Sequence, residues 1–219
     1  MTAHPDPNAF ASPATPGEVE RTERTLTLLM VAKLRREAGG EGLCRIRNVS
    51  TGGLMIETRM AIAVGERIAI EVRGRPELLG LLVWVRDGRA GMVFDTEVAI
   101  EDMIALAPIS PSRIRKTRLP RGPRVSIDCA IEVKLGGGRV VGMLRDISQG
   151  GAKLIIPIAP ARHERLVLMI PGLPMKLALV CWAGPETGVA FAEPLSFEML
   201  AEWLLIREGD EYWGGAPGV

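Results

Sequence analysis

The sequence predicts a mainly β protein: two small antiparallel six-stranded barrels in tandem, each followed by a short C-terminal helix. Three observations carry that prediction. The chain repeats itself at a spacing of about 100 residues. Each copy holds about six short segments whose apolar residues alternate in period two. Each copy then closes on a stretch with helical spacing. The 219 residues, 47% hydrophobic and 24% charged, suffice for two such units and exclude wholesale disorder.

The repeat rests on four landmarks in the same order. Arg21-x-x-Arg24 returns as Arg121-x-x-Arg124 at an offset of 100, and Asn48-Val49-Ser50-Thr51-Gly52-Gly53 returns as Asp146-Ile147-Ser148-Gln149-Gly150-Gly151 at 98. Trp84 returns as Trp182 at 98, and Gly91-Met92-Val93-Phe94 as Gly188-Val189-Ala190-Phe191 at 97. Offsets this constant mark a tandem duplication.

In the first copy Leu26, Leu28, Met30, Ala32 and Leu34 alternate as one strand. Strands then follow over Leu43 to Asn48, Leu54 to Glu57, Arg67 to Val72, Leu78 to Arg86 and Ala90 to Phe94. Asp87-Gly88 between the last two is a hairpin signal, because a tight turn needs positive φ. The second copy opens with Ile127, Cys129, Ile131, Val133 and Leu135 in alternation. It continues over Val140 to Ile147, Ala152 to Ile156, Leu166 to Ile170, Met175 to Trp182 and Gly188 to Phe191. Helical spacing appears at Ile100, Met103, Ile104 and Ala107, and again, after a Ser196 N-cap, at Met199, Leu200, Trp203 and Leu204. Such stripes suit helices that cover the open ends of barrels. Trp84 and Trp182 read as packing groups at strand ends.

Composition narrows the function. With 27 Lys and Arg against 26 Asp and Glu, the net charge is +1, so coating of DNA or RNA by bulk charge is not expected. An aromatic content of 4% leaves few rings for stacking bases in an RNA-binding barrel. No apolar run reaches the ~20 residues that span a bilayer, and Met1 to Gly17 has no signal-peptide pattern, so no membrane insertion and a cytoplasmic location are expected. Cys44, Cys129 and Cys181 form no CxxC and sit in apolar or alternating runs, as buried reduced thiols do. His4 and His163 are the only histidines, too few for a metal cluster or a nucleophile–base pair. Without a phosphate-binding loop as well, the chain does not read as an enzyme and implies no cofactor.

Chemistry concentrates at one repeated turn. Asp146-x-Ser148-x-x-Gly151, matched by Asn48-x-Ser50-x-x-Gly53, lies between two strands. The Asx side chain and the Ser hydroxyl can bond a ligand edge, or their own backbone as in most such turns. The paired glycines are expected to take positive φ and admit a ligand closely. Upstream of each turn stand arginines: Arg21 and Arg24 in the first copy, Arg118, Arg121 and Arg124 in the second. Read apart from the turn, the second group is a solvated basic linker.

Arginine pair, D/N-x-S-x-x-G turn, a late strand ending near Trp and a following Gly-x-x-Phe strand together resemble the PilZ domain, the bacterial receptor module for cyclic di-GMP. The resemblance covers both copies. It implies a cyclic di-GMP receptor or effector of second-messenger signalling, acting on a downstream protein not identifiable from sequence. The implied ligand site in the second copy comprises Arg118, Arg121, Arg124, Asp146, Ser148 and Gly151. A second candidate site comprises Arg21, Arg24, Asn48, Ser50 and Gly53. Guanidinium groups suit such a ligand, since they grip phosphate bidentately, pair with the guanine edge and stack on purines. The chain departs from the family in spacing its arginines RxxR where the family has RxxxR. This departure weighs more on the first copy, because the second has five arginines between positions 113 and 124. The alternative it suggests is a degenerate PilZ tandem serving as a protein-interaction adaptor.

The expected division is a flexible tail over 1–17, a first domain over 18–108, an Arg- and Pro-rich linker over 109–123, a second domain over 124–208 and a flexible tail over 209–219.

Overall fold

The computed structural model describes residues 26–72, 75–99 and 122–213. The arginine-bearing linker, the N-terminal arginines and the helical stripe over 100–107 therefore lie outside the described residues.

The first barrel is made of β1 (Leu26–Arg36), β2 (Glu41–Ser50), β3 (Gly53–Thr58), β4 (Arg67–Glu71), β5 (Leu78–Arg86) and β6 (Arg89–Phe94). The second is made of β7 (Val125–Leu135), β8 (Gly138–Ser148), β9 (Gly151–Ile155), β10 (Arg165–Met169), β11 (Lys176–Ala183) and β12 (Thr187–Phe191), and α1 (Phe197–Trp213) follows it. Each closes in the same order, β1-β2-β3-β6-β5-β4 in one and β7-β8-β9-β12-β11-β10 in the other, with every described pairing antiparallel. The two-barrel architecture is the predicted one.

Period-two alternation fills each interior. Along β7, Val125, Cys129, Ile131 and Val133 are buried and meet Leu144, Leu154, Leu166, Leu168 and Val180. The first core gathers Leu34, Ile46, Ile56, Ile70, Leu82 and Met92 in the same way. Both central residues of the Asp87-Gly88 turn have positive φ, 50° and 72°, the backbone of a two-residue hairpin whose twist matches its strands.

Four expectations need correction. Trp84 and Trp182 are not core residues: they are 37% and 43% exposed. A register shift between Leu82 and Trp84, and the same shift between Val180 and Trp182, turns each ring out of the barrel. Each indole then lies over a glycine of the neighbouring strand, where a Cβ on Gly91 or Gly188 would come within 2.0 or 2.2 Å of the ring. Cys181 falls inside that same irregularity and is only half-buried, whereas Cys44 and Cys129 are buried, and burial pushes both of their thiol pKa values up. Met199 faces solvent; Leu200, Trp203 and Leu204 form the buried stripe of α1. Finally, α1 runs to Trp213, past the boundary expected at 208, since the chain meets no proline before Pro217.

Among the described residues, His163 is the non-glycine with positive φ besides Asp87. His163 has φ 69° where the equivalent turn of the first barrel uses Gly65 at 83°. The two turns share their bonding, His163 N to Val180 O at 2.9 Å and Gly65 N to Leu82 O at 2.8 Å. His163→Gly is therefore expected to stabilise the protein by about 0.5–1 kcal/mol in chemical denaturation.

Candidate functional site

The Asx-x-Ser turn of the second barrel joins β8 to β9, with Ser148 paired to Gly151. Ser148 is buried and its Oγ donates to Gly151 O at 3.2 Å; Ser50 donates to Gly53 O at 3.1 Å. The serines thus hold their own turns, which fixes the loop shape while leaving hydroxyl lone pairs to accept a further bond.

The glycine expectation is corrected here as well. None of Gly52, Gly53, Gly150 and Gly151 has positive φ. A Cβ on Gly151 would sit 2.2 Å from Val189 O, and one on Gly53 2.2 Å from Met92 O. Those glycines are demanded by the close pass of β12 and β6. Gly52 and Gly150 face open space, with nothing within 4 Å of an added Cβ.

Arg124 directly precedes β7, and its Nη1 donates to Asp146 Oδ1 at 2.5 Å. The other oxygen of Asp146 lies 3.8 Å from Lys153 Nζ, which also pairs with Glu186 at 3.1 Å. Strand register explains the meeting: Asp146 stands across from Ser126 on β7 and from Lys153 on β9. Arg124, Ser148, Gly150, Gly151, Cys181 and Trp182 line one shallow pocket with the backbone of Gly188, Val189 and Ala190. Gly122 passes the same turn, since a Cβ there would lie 3.8 Å from Gln149 Oε1. An anionic group with a flat ring would find a guanidinium, a hydroxyl and an indole face in one place.

Of the residues expected in this site, Arg124, Asp146, Ser148 and Gly151 come together; Arg118 and Arg121 lie outside the described residues. Trp182, Cys181 and Lys153 are additions. The first two were hidden because a strand irregularity cannot be read from alternation. Lys153 was open to the observation that it follows the turn by two residues, on the strand facing Asp146.

The first barrel differs at each of these points. Leu26 pairs with Val49 and Thr27 with Asn48, as Val125 pairs with Ile147 and Ser126 with Asp146. In sequence, the residue before Leu26 is Thr25, whereas the residue before Val125 is Arg124. Met55 stands across from Asn48 where Lys153 faces Asp146. Arg47 is engaged by Glu57 on the adjoining strand. Arg21 and Arg24 lie outside the described residues. A larger apolar groove at the end of this barrel, bordered by Val72, Pro76, Leu78, Phe94 and Val98, holds none of the candidate residues.

Comparison with known proteins follows the same division. The family model of the PilZ domain matches twice, over residues 18–108 and 118–205. No curated protein matches the sequence. Among solved structures, the chain is similar to the PlzA protein of Borreliella burgdorferi in complex with c-di-GMP, at 14% identity and TM-score 0.37, over 82% of this chain and 88% of that one. It is also similar to the inhibitor of motility MotI/DgrA of Bacillus subtilis, at 13% and 0.32, over 85% and 99%. A third is YcgR of Escherichia coli in complex with c-di-GMP, at 16% and 0.32, over 84% and 87%.

Proposed function

The chain belongs to the PilZ domain family in both of its halves, and on that premise we propose that it is a non-catalytic receptor for cyclic di-GMP whose ligand site is in the second barrel. The observation that carries the reading is Arg124 standing beside the Asp146–Gly151 turn, in a pocket shared with Trp182. Arg124 would exchange Asp146 for a phosphate or a guanine edge, both of which a planar guanidinium grips with two parallel bonds. The freed Asp146, acceptor-only when ionised, suits the N–H groups of a guanine. The indole of Trp182 offers a purine a stacking face. Arg121 comes one residue before Gly122 in the sequence, and Arg118 precedes it within the same basic run. The first barrel, with Met55 across from Asn48 where Lys153 faces Asp146, is assigned no ligand.

Cys181 supplies a direct test. As a half-exposed thiol lining the pocket, it is expected to react with iodoacetamide well before Cys44 and Cys129. Saturating cyclic di-GMP should slow its alkylation at least several-fold, read by peptide mass spectrometry. An unchanged rate at saturation would place the ligand elsewhere.

The RxxR spacing favours one other reading, an adaptor that binds proteins and no nucleotide. A melting temperature unmoved by cyclic di-GMP would select it, because a ligand held only by the folded state must stabilise that state.

A further inference from the structure

We infer that the first barrel is a positioning element for the site in the second, and that Glu41 is a positioning residue for Arg124; the inference rests on the ligand reading just given. Glu41, Leu43 and Arg45 occupy alternate positions of β2 and so share its outer face, opposite the inward Cys44 and Ile46. All three meet the second barrel. Glu41 Oε2 accepts from Ser126 N at 3.3 Å. Leu43, although it points out of its own barrel, is 2% exposed because it completes the core of the other, with Val31 packed beside it. Arg45 pairs with Glu198 at 2.5 Å and lies 4.1 Å over the ring of Phe197, at the start of α1.

The place these contacts reach matters for the ligand. β10 pairs with β7 only at Glu132, Val133 and Lys134. The earlier part of β7, from Val125 to Ile131, has no strand on that side among the described residues. This part follows directly on Arg124 in the chain. Ser126, whose N–H goes to Glu41, is two residues from Arg124 and directly across from Asp146. A carboxylate from the first barrel thus takes the backbone donor of the strand end from which the ligand arginine projects. Nothing in the barrel fold itself asks for this carboxylate: the equivalent outer positions of β8 are Arg139, Val141 and Met143, all exposed.

The test uses the full chain with Glu41→Ala and Glu41→Gln. Glu41→Ala is expected to weaken cyclic di-GMP binding about fivefold by calorimetry, the worth of one ordinary hydrogen bond. It should also speed amide hydrogen exchange at residues 125–127. Glu41→Gln keeps a carbonyl that can accept from Ser126 N and is expected to bind within twofold of wild type. Both variants lose the negative charge that pairs with Lys33, so a role through that ion pair alone would affect them alike. Wild-type affinity in Glu41→Ala, or equal loss in both, would overturn the inference. Failure of the wild-type chain to bind would overturn the ligand reading on which it rests; Glu41-dependent exchange would then leave only the hold on β7 standing.

Discussion

Arg124→Ala is expected to weaken cyclic di-GMP binding about 10- to 100-fold, the range set by losing a charge-assisted bond of ~1.5–3 kcal/mol. The fold should survive. The Arg124–Asp146 pair is partly exposed, with the guanidinium side chain 31% accessible, and such a pair contributes about 1 kcal/mol or less. That corresponds to a melting shift of no more than about 4 °C. Arg124→Lys should lose most of the affinity as well, because an ammonium keeps the charge without the planar fork. Asn48→Ala in the first barrel should leave binding unchanged, since Asn48 faces Met55 where Asp146 faces Lys153. Titration calorimetry on the three variants decides the matter. Wild-type affinity in Arg124→Ala would remove the central residue of the proposed site.

The second large effect separates two adjacent glycines. Gly151→Ala would drive a methyl group to 2.2 Å from Val189 O and 3.3 Å from Ala190 Cα, both of them backbone atoms of β12. β12 cannot yield without breaking its ladder with β9, where Gly151 pairs with Ala190 and Ala152 with Val189. The expected loss is about 3 kcal/mol or more, the upper range for overpacking, with a melting temperature lower by roughly 10 °C. Gly150→Ala meets open space and should change stability by less than about 0.5 kcal/mol. Urea denaturation of both variants tests the contrast. Equal tolerance would show that β12 can retreat from the turn. The contrast matters for the motif, because the glycine that resembles a ligand-site element is required by strand packing before any ligand arrives.

What the sequence made legible follows from what alternation encodes. Inward residues such as Cys129, Ile131 and Val133 announce themselves by parity, and Asp87-Gly88 by the backbone that only certain residues accept. Parity fails where a strand gains a residue. Trp84 and Trp182 count as inward by spacing from Leu82 and Val180, and one irregularity in each barrel sends them outward. The arginine motif shows a related limit. Arg21 and Arg24 repeat the spacing of Arg121 and Arg124 at an offset of 100, yet the strand ends that follow correspond at 99. One residue of slippage therefore separates the arginine repeat from the repeat of the strands. Leu43 was unreadable for a third reason, since its outward parity promises solvent and only the neighbouring barrel removes it.

That outer face of β2 also makes the two units unlike as surfaces. Solenoids extend because each unit offers the next the surface it received itself. Here the second unit presents Arg139, Val141 and Met143 where the first presents Glu41, Leu43 and Arg45. On β2 an amide proton meets a carboxylate and an acidic helix start meets a guanidinium; the same two positions of β8 hold an arginine and a methionine.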